Sequence, residues 1–392
     1  MKKLLITTSI LLSSISLVHA SALSPGQLDL TTYGGEAGHE IFEAKKAQTI
    51  KASAGLLKTM RSMSKNGEIS AEDLTKVTNG IANARRKAAQ ESKSDAADQF
   101  GLKRNSRGTY DAHITNTTSD ERAVIRANLG DLVKSALMGI LSGVPEAEYV
   151  GIDQRWRYNG PGFTVEFLSN GFCKPLSTAI RAIVEVRARS GDIDSKELLE
   201  EQMLLTDVFK HLGSEERVRY FEGLIAKNTV VAAKLTFFAE MDETKIPLTT
   251  CMTLFEGDAS TDKGFTEASL NDLGTTAPMS LLHTSKRILP VLEPTLVHFA
   301  HRAVNWDGEN LDLLRANIVC YRYLSSQAMP YCRGSAAITN WTVAAILQSH
   351  GLKEDIGTWE RVDDYSIAMS LDGFETAYEE NVSITPIDGS QD

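Results

Sequence analysis

The chain has 392 residues, of which 51 are acidic and 41 basic, so its formal charge at pH 7 is −10. This acidic balance disfavours non-specific binding to nucleic acid, because the phosphate groups would be repelled. Hydrophobic residues make up 42% and charged residues 23%, which excludes a largely disordered chain. The length suits two or three domains or one large helical body.

Residues 1–22 have the composition of a secretory signal peptide. Lys2 and Lys3 precede an apolar, hydroxyl-rich run over residues 4–18, and small residues follow at Ala20 and Ala22. The run of about 15 residues is too short to span a bilayer, and no later apolar run approaches about 18 residues. We predict cleavage after Ala20 or Ala22 and a soluble, secreted or periplasmic product with no integral membrane segment.

Residues 23–115 are predicted to form a mobile arm followed by a helical pair. The first helix is expected over residues 39–64, and the second begins at Ser70, where residues 70–73 resemble a capping box, and continues past Arg86. The apolar faces of both helices are thin. The pair therefore either docks on another surface or extends into solvent, and we expect the rest of the chain to fold without it.

Residues 116–378 are predicted to form the helical core domain. A capping sequence at residues 118–121 opens a helix that ends at Gly143, and further helices are expected over residues 176–190, 195–211 and 214–241. Aromatic alternation around residues 155–167 predicts a β-hairpin, and residues 248–255 are typical of a strand. The predicted fold class is mainly α, a multi-helical bundle with one or two small β-hairpins, followed by a flexible acidic tail over residues 379–392.

The centre of this bundle is predicted to be an apolar helical hairpin over residues 311–352. Apolar residues recur at three- and four-residue spacing from Leu311, and Pro330 stops the first helix. The second helix is expected to run from Ser335 to a stop at Gly351. Neither helix has a clean polar face, which is typical of buried helices.

The loop of this hairpin suggests an anion site. Gly334 and Ser335 begin a helix whose first backbone N–H groups are unpaired and lie at the positive end of the helix dipole. Arg333 adjoins them, and Arg315 and Arg322 share a stripe of the preceding helix. The alternative is that these arginines pair with carboxylates from elsewhere in the chain, as buried charges usually do.

Two histidines are weak candidates for a metal site. His298 and His301 are three residues apart and share a helix face. No glutamate follows at the spacing used by zinc proteases, so the sequence predicts no cofactor. Four cysteines permit two disulfides in any of three pairings, or free thiols: Cys173, Cys251, Cys320 and Cys332.

Residues 295–352 resemble the core of Fic-type domains, in which a proline–aromatic loop joins a helix to an apolar helix. Pro330 and Gly334 match the family's loop, and Tyr331 stands in place of a phenylalanine. The resemblance implies a related fold there without the family's nucleotide-transfer chemistry, because the catalytic and binding residues differ. Met329 stands for the catalytic histidine, Arg333 for the metal-binding acid, and Ser335, Ala336 and Ala337 for the asparagine, glycine and arginine.

Two functions from different classes follow from these patterns. The first is a secreted, soluble, mainly helical protein of bacterial type that acts through protein–protein interaction, as an effector or virulence-type factor. The second is an enzyme or binding module for a phosphorylated or other anionic small molecule, centred on Arg333 and Ser335. We favour the first, because the sequence holds no intact catalytic motif.

Overall fold

A computed structural model describes residues 36–104, 114–116, 123–150, 155–168, 230–241, 244–256, 279–357, 359 and 362–387. Within these ranges the chain forms eight α-helices and nine strands. The helices are α1 (Glu36–Met63), α2 (Ala71–Glu91), α3 (Ala123–Ser142), α4 (Leu289–Val304), α5 (Leu311–Ala328), α6 (Ser335–Ser349), α7 (Val362–Ile367) and α8 (Leu371–Asn381).

The strands belong to two antiparallel sheets. Seven strands form the larger sheet in the order β1-β7-β6-β5-β4-β3-β2, and β8 pairs with β9 in the smaller one. The strands are β1 (Ile114–Asn116), β2 (Ala147–Val150), β3 (Arg155–Gly160), β4 (Phe163–Leu168), β5 (Val230–Met241), β6 (Thr244–Glu256), β7 (Met279–Leu282), β8 (Leu352–Asp355) and β9 (Ser383–Pro386).

The mainly helical class is confirmed, but the larger sheet has more strands than the sequence predicted. The hairpin of β3 and β4 was expected, as was β6, whereas the helix expected over residues 214–241 is wrong for residues 230–241. In β5, Ala233, Leu235 and Phe237 are buried, and the residues between them are less buried. This period of two marks a strand, but alanine and leucine are also strong helix formers, so local preference misled the prediction.

Helices α5 and α6 form the predicted central hairpin. The side chain of Asn310 caps α5 by accepting a hydrogen bond from the N–H of Leu313 at 3.0 Å. Trp341, in α6, is the largest fully buried side chain in the described ranges. Helix α5 ends where Met329 adopts a left-handed conformation with φ of 44°, since the following Pro330 disfavours the right-handed helical region.

The predicted helical pair, α1 and α2, packs against this hairpin. The rings of Phe42 in α1 and Trp341 in α6 lie 5.5 Å apart between centroids. Arg61 donates hydrogen bonds to the carbonyls of Val304 at 2.6 Å and Ser349 at 3.2 Å, which end α4 and α6. Of the two alternatives from the sequence, the pair therefore docks, and it docks on this chain. The domain boundary near residue 115 stays a prediction.

The C-terminal elements extend further than the sequence suggested. Helix α8 buries Phe374 and Tyr378 and continues to Asn381, and β9 then pairs with β8. Val382 and Ile384 are buried, which explains why this part of the predicted acidic tail is ordered against the core. Residues 388–392 lie outside the described residues.

Several predictions fall on residues that the structure does not describe. The predicted signal peptide, residues 23–35 of the mobile arm predicted over residues 23–38, and the helices over residues 176–190 and 195–211 are in this group. The last three residues of that arm, 36–38, belong to α1 instead. In the part of the chain that is described, no helix has both the length and the apolar character needed to cross a membrane.

Candidate functional site

A segment from the N-terminal part of the chain lies along the loop between α5 and α6. We call residues 329–334 the hairpin loop and residues 97–104 the strap. Their pairing satisfies backbone groups that would otherwise be buried without partners. Three backbone hydrogen bonds join them: Cys332 N to Leu102 O at 2.8 Å, Arg104 N to Pro330 O at 2.9 Å, and Gly101 N to Arg333 O at 3.1 Å.

The strap is also fixed against α2, and this contact requires a glycine. Gly101 has a φ of +66°, a conformation that favours glycine. A Cβ atom at this position would lie 2.2 Å from the carbonyl oxygen of Ala82 in α2. The close approach places the strap, and with it the hairpin loop, at a fixed distance from α2.

Arg104, at the end of the strap, caps the C-terminus of α5. Its side chain is only 1% exposed. Nη1 donates to the carbonyls of Ala328 at 2.9 Å and Met329 at 3.0 Å, and Nη2 donates to the carbonyl of Thr284 at 2.7 Å. The last carbonyls of a helix lack intrahelical partners and carry partial negative charge, so a buried cation is favourable there.

A cleft of about 80 Å³ opens between α2, α4, α5 and α6 beside the hairpin loop. The strap contributes Lys103, which forms an ion pair with Glu293 of α4 at the cleft. Most of the remaining wall is apolar, as is typical of small-molecule sites. The apolar lining consists of Leu74, Leu289, Leu296, Val297, Ala300 and Pro330.

The other polar groups of the cleft are mainly hydroxyls. Tyr321 forms hydrogen bonds with the side chains of Ser325 and Thr342, and burial raises the pKa of its phenol despite these bonds. Burial also raises the pKa of Tyr331. Among the described residues, the side-chain hydroxyls of Tyr331 and Thr339 have no hydrogen-bond partner. The cleft therefore combines apolar walls with two neutral groups that still have hydrogen-bonding capacity.

The three arginines predicted to hold an anion do not converge. Arg315 forms an ion pair with the exposed Asp312 of its own helix at 2.9 Å. Arg322 is buried and contacts Glu354 and Asp363. For these two arginines the structure follows the alternative in which they pair with carboxylates.

The contacts of Arg322 form a buried polar network between α5, α6, β8 and α7. Nε and Nη2 donate to the two carboxylate oxygens of Glu354 at 3.2 and 2.5 Å, and Nη1 donates to the side chain of Asn340. Asn340 in turn donates to Asp363 at 2.9 Å. Glu354 also accepts a hydrogen bond from the hydroxyl of Tyr378. This network ties the C-terminal elements to the central hairpin.

Two carboxylates share the single positive charge of Arg322. Burial opposes that charge, but the interactions with Glu354, Tyr378 and Asp363 outweigh it and raise the pKa of Arg322. Burial raises the pKa of Asp363 to about 6, and Arg322 opposes this shift only in part. Asp363 therefore takes up a proton more readily than an exposed aspartate does.

Arg333, Gly334 and Ser335 remain together at the start of α6. Gly334 is the N-cap and supplies no side-chain cap, and the hydroxyl of Ser335 bonds to the N–H and carbonyl of Tyr331. The Arg333 guanidinium donates to the carbonyl of Asp95 at 2.5 Å and lies 4.9 Å from the ring centroid of Phe100. Arg333 is half-buried, and anion binding at this end of α6 stays a prediction.

The predicted metal candidates lie on α4 but not in a ligand cluster. His298 contacts the ring of Phe299, and Nε2 of His301 is 3.1 Å from the side-chain nitrogen of Asn305. In the described ranges, no group of three or more His, Cys, Asp or Glu side chains is arranged to hold a metal ion.

The cysteines that the structure describes are free thiols. Cys251 is buried, and Cys320 and Cys332 are half-buried. Burial raises the pKa of Cys251 to about 12, and burial together with Glu375 raises that of Cys320 to about 11. Such thiols are poor nucleophiles at neutral pH. Cys173 lies outside the described residues.

The strap and most of the cleft have no recognisable pattern in the sequence. Arg104 and Lys103 lie in a polar, glycine-containing stretch over residues 93–117, and their partners are about two hundred residues away in the chain. When a charged residue lies in a polar stretch, its neighbours in the sequence do not indicate that it will be buried. The hint available in the sequence was Gly101, which stands next to Phe100 and suggests a tight backbone position.

One family model matches this chain. Residues 219–379 match a family described as avirulence protein (AvrB_AvrC). The match covers less than half of the chain, from ahead of β5 through most of α8, and excludes α1, α2 and the strap. It indicates similarity to bacterial avirulence or effector proteins. A comparison with curated proteins found no match.

The resemblance to Fic-type domains is corrected by this finding, because the family model that matches residues 219–379 is that of avirulence proteins. The resemblance rested on Pro330, Tyr331 and Gly334. A proline, a buried aromatic ring and a glycine with positive φ are what a tight loop between two buried helices needs for geometric reasons. They are therefore weak evidence for kinship.

Proposed function

We propose that the protein is an exported effector that acts by binding a protein of another cell. The observation that carries the proposal is the match of residues 219–379 to the avirulence protein family. The basic, apolar and small-residue segments of residues 1–22 support export. The fold joins this matched region to α1, α2 and the strap, so the effector would act as a mature chain rather than as the matched segment alone.

Export is expected to depend on the apolar run at the start of the chain. The exported protein should begin at residue 21 or 23, and Leu12→Arg should leave an uncleaved chain in the cytosol, because a charge interrupts the apolar run. Cell fractionation with N-terminal sequencing measures both. A mature protein that retains Met1 would contradict export by this route.

The effector role is tested by the same pair of variants in a bacterium growing on its host. The wild-type gene should change host response or bacterial growth, and the Leu12→Arg gene should behave like a deletion. In a pull-down, the tagged mature chain should also bind a host protein, and an excess of untagged chain should displace that protein. An equal host response to the wild-type and deletion strains, with no displaceable protein, would overturn the proposal.

A second candidate function is binding of a phosphate or carboxylate at the start of α6. The supporting observation is that Gly334 provides no side-chain cap, while the half-buried Arg333 adjoins the unpaired amides of this helix end. The local positive potential would oppose the negative charge of the whole chain. This candidate requires Arg333 alone, since Arg315 and Arg322 are paired with acids.

Arg333→Ala is expected to weaken phosphate binding by about 1.5–3 kcal/mol, the typical worth of a hydrogen bond to a charged group. Thermal melts of wild type and variant with and without millimolar phosphate measure this effect. Arg302→Ala serves as the control, because it removes an exposed arginine of α4 and the same amount of charge. If phosphate does not raise the melting temperature of the wild type, this candidate function is wrong.

A further inference from the structure

The cleft beside the hairpin loop has features that neither the effector role nor the family match explains. It lies between four helices and is bordered by the strap, which is outside the matched region. Tyr331 and Thr339 are more than nine-tenths buried, line the cleft and lack hydrogen-bond partners among the described residues. Unlike the buried Tyr323 hydroxyl, these two hydroxyl oxygens stay accessible from the cleft, so a group that enters the cleft could form hydrogen bonds with them.

Neighbouring threonine hydroxyls have hydrogen-bond partners, so in the described lining of the cleft the lack of a partner is confined to the hydroxyls of Tyr331 and Thr339. Thr342, one turn further along α6, donates its hydroxyl to the carbonyl of Ile338 at 2.8 Å. Thr78, in α2, donates to the carbonyl of Leu74 at 3.1 Å. Helical threonines in this region therefore satisfy their hydroxyls within their own helices, whereas Thr339 does not.

The charge of the lining favours an uncharged occupant. Lys103 and Glu293 are the charged side chains of the described lining, and they are paired with each other. A charged ligand would lose its hydration in a mainly apolar cleft and would find no unpaired opposite charge there. A ligand with an apolar body and a hydroxyl would match both kinds of wall.

The size of the cleft sets the size of the ligand. A water-sized group needs about 10–15 Å³ of cavity volume. The cleft of about 80 Å³ therefore has room for on the order of five to eight groups of that size. This is smaller than a site for a drug-sized molecule. It suits a ring or branched chain bearing one hydroxyl.

We propose that this cleft binds a small uncharged alcohol or phenol, whose hydroxyl meets Tyr331 and Thr339 while its apolar body lies against α2 and α4. The inference does not depend on the effector role. The same chemistry is presented by a free phenol and by a tyrosine side chain of a partner protein.

The proposal is tested with p-cresol and toluene, which differ by one hydroxyl, on the chain without its first 22 residues. Ligand-detected NMR titrations should show saturable binding of p-cresol, and tighter binding of p-cresol than of toluene. Tyr331→Phe and Thr339→Val should each weaken p-cresol binding by about 2- to 12-fold, the range that corresponds to one net hydrogen bond. Toluene binding should change little.

Tyr323→Phe is the matched control. The Tyr323 hydroxyl lacks a partner within the described part of the chain too, but it is buried and does not line the cleft. This variant should bind p-cresol as the wild type does. Ala300→Phe should fill the cleft and abolish binding of both probes.

Three results would overturn the inference: no saturable binding of p-cresol, equal binding of p-cresol and toluene, or equal losses in Tyr331→Phe and Tyr323→Phe. N-acetyltyrosinamide distinguishes the two sources of ligand. If it binds at least as tightly as p-cresol, the cleft receives a tyrosine side chain of a partner. If only p-cresol binds, the cleft receives a free molecule, and either result supports the proposed chemistry.

Discussion

Replacing Arg322 with methionine is expected to lower the free energy of unfolding by about 3–5 kcal/mol, the usual cost of removing one partner from a buried ion pair. The variant leaves Glu354 and Asp363 in the interior without their cation, and both side chains are only 10% exposed. Urea unfolding followed by tryptophan fluorescence measures the loss, since Trp341 and Trp359 are buried in the core.

Arg315→Met is the control for this experiment, because it makes the same change seven residues earlier in α5. Arg315 pairs with Asp312, whose side chain is 89% exposed, and exposed pairs contribute about 1 kcal/mol or less. Equal losses of stability in the two variants would show that the buried network does not hold the C-terminal elements in place.

The same network predicts a pH dependence with a definite sign. Burial raises the pKa of Asp363 to about 6, above the value of about 3.9 expected in an unfolded chain. Proton uptake therefore favours the folded state, and this contribution is lost as the pH rises through the folded pKa. Asp363→Asn cannot titrate, so the stability of the wild type relative to this variant should fall between about pH 4 and pH 6.

A chain that begins at residue 116 is expected to lose cooperative unfolding. It lacks α1, α2 and Arg104, and so uncovers Trp341 and leaves the last carbonyls of α5 uncapped. Burying one large apolar side chain is worth about 1.5–3 kcal/mol, whereas a whole protein is stable by about 5–15 kcal/mol. The missing segment contributes eight such buried side chains: Phe42, Ile50, Leu57, Ile69, Leu74, Val77, Ile81 and Phe100.

A chain that begins at residue 36 is the matched control, because it keeps all of α1 while removing the preceding residues. It should unfold in one sharp transition in the same urea titration. The thin apolar faces of α1 and α2 predict that the rest of the chain folds without them, whereas their packing on α6 favours the opposite expectation. A sharp transition at an unchanged midpoint in the chain from residue 116 would support the sequence-based view.

The sequence correctly predicted those features that depend on a helix cap, a proline or a run of apolar residues. Ser70 accepts a hydrogen bond from Asp73 N, as the capping sequence indicated, and Pro330 follows the end of α5. The apolar character of residues 311–352 correctly indicated a buried hairpin. Each of these features is determined by side chains within a few positions of one another.

The features that the sequence did not predict depend on distant residues. Arg322 stood out as a charge in an apolar helix, but Glu354 and Asp363 are ordinary surface-type residues until the fold brings them to it. The cleft hydroxyls of Tyr331 and Thr339 likewise have no distinguishing local pattern. Their interest lies in the partners they lack, which only a folded structure can reveal.

The long reach of the strap and of α1 affects the order in which the chain can fold. Arg61 bonds to Ser349, 288 positions later, so this contact of the first helix cannot form until nearly the whole chain is present. Loop closure over such distances is slow, and folding rates fall as contacts become more remote in sequence. During synthesis, the faces of the first helices that pack on α6 would stay exposed to proteases and chaperones. Arrival of the C-terminal hairpin would therefore set the moment at which the N-terminal third becomes resistant to digestion.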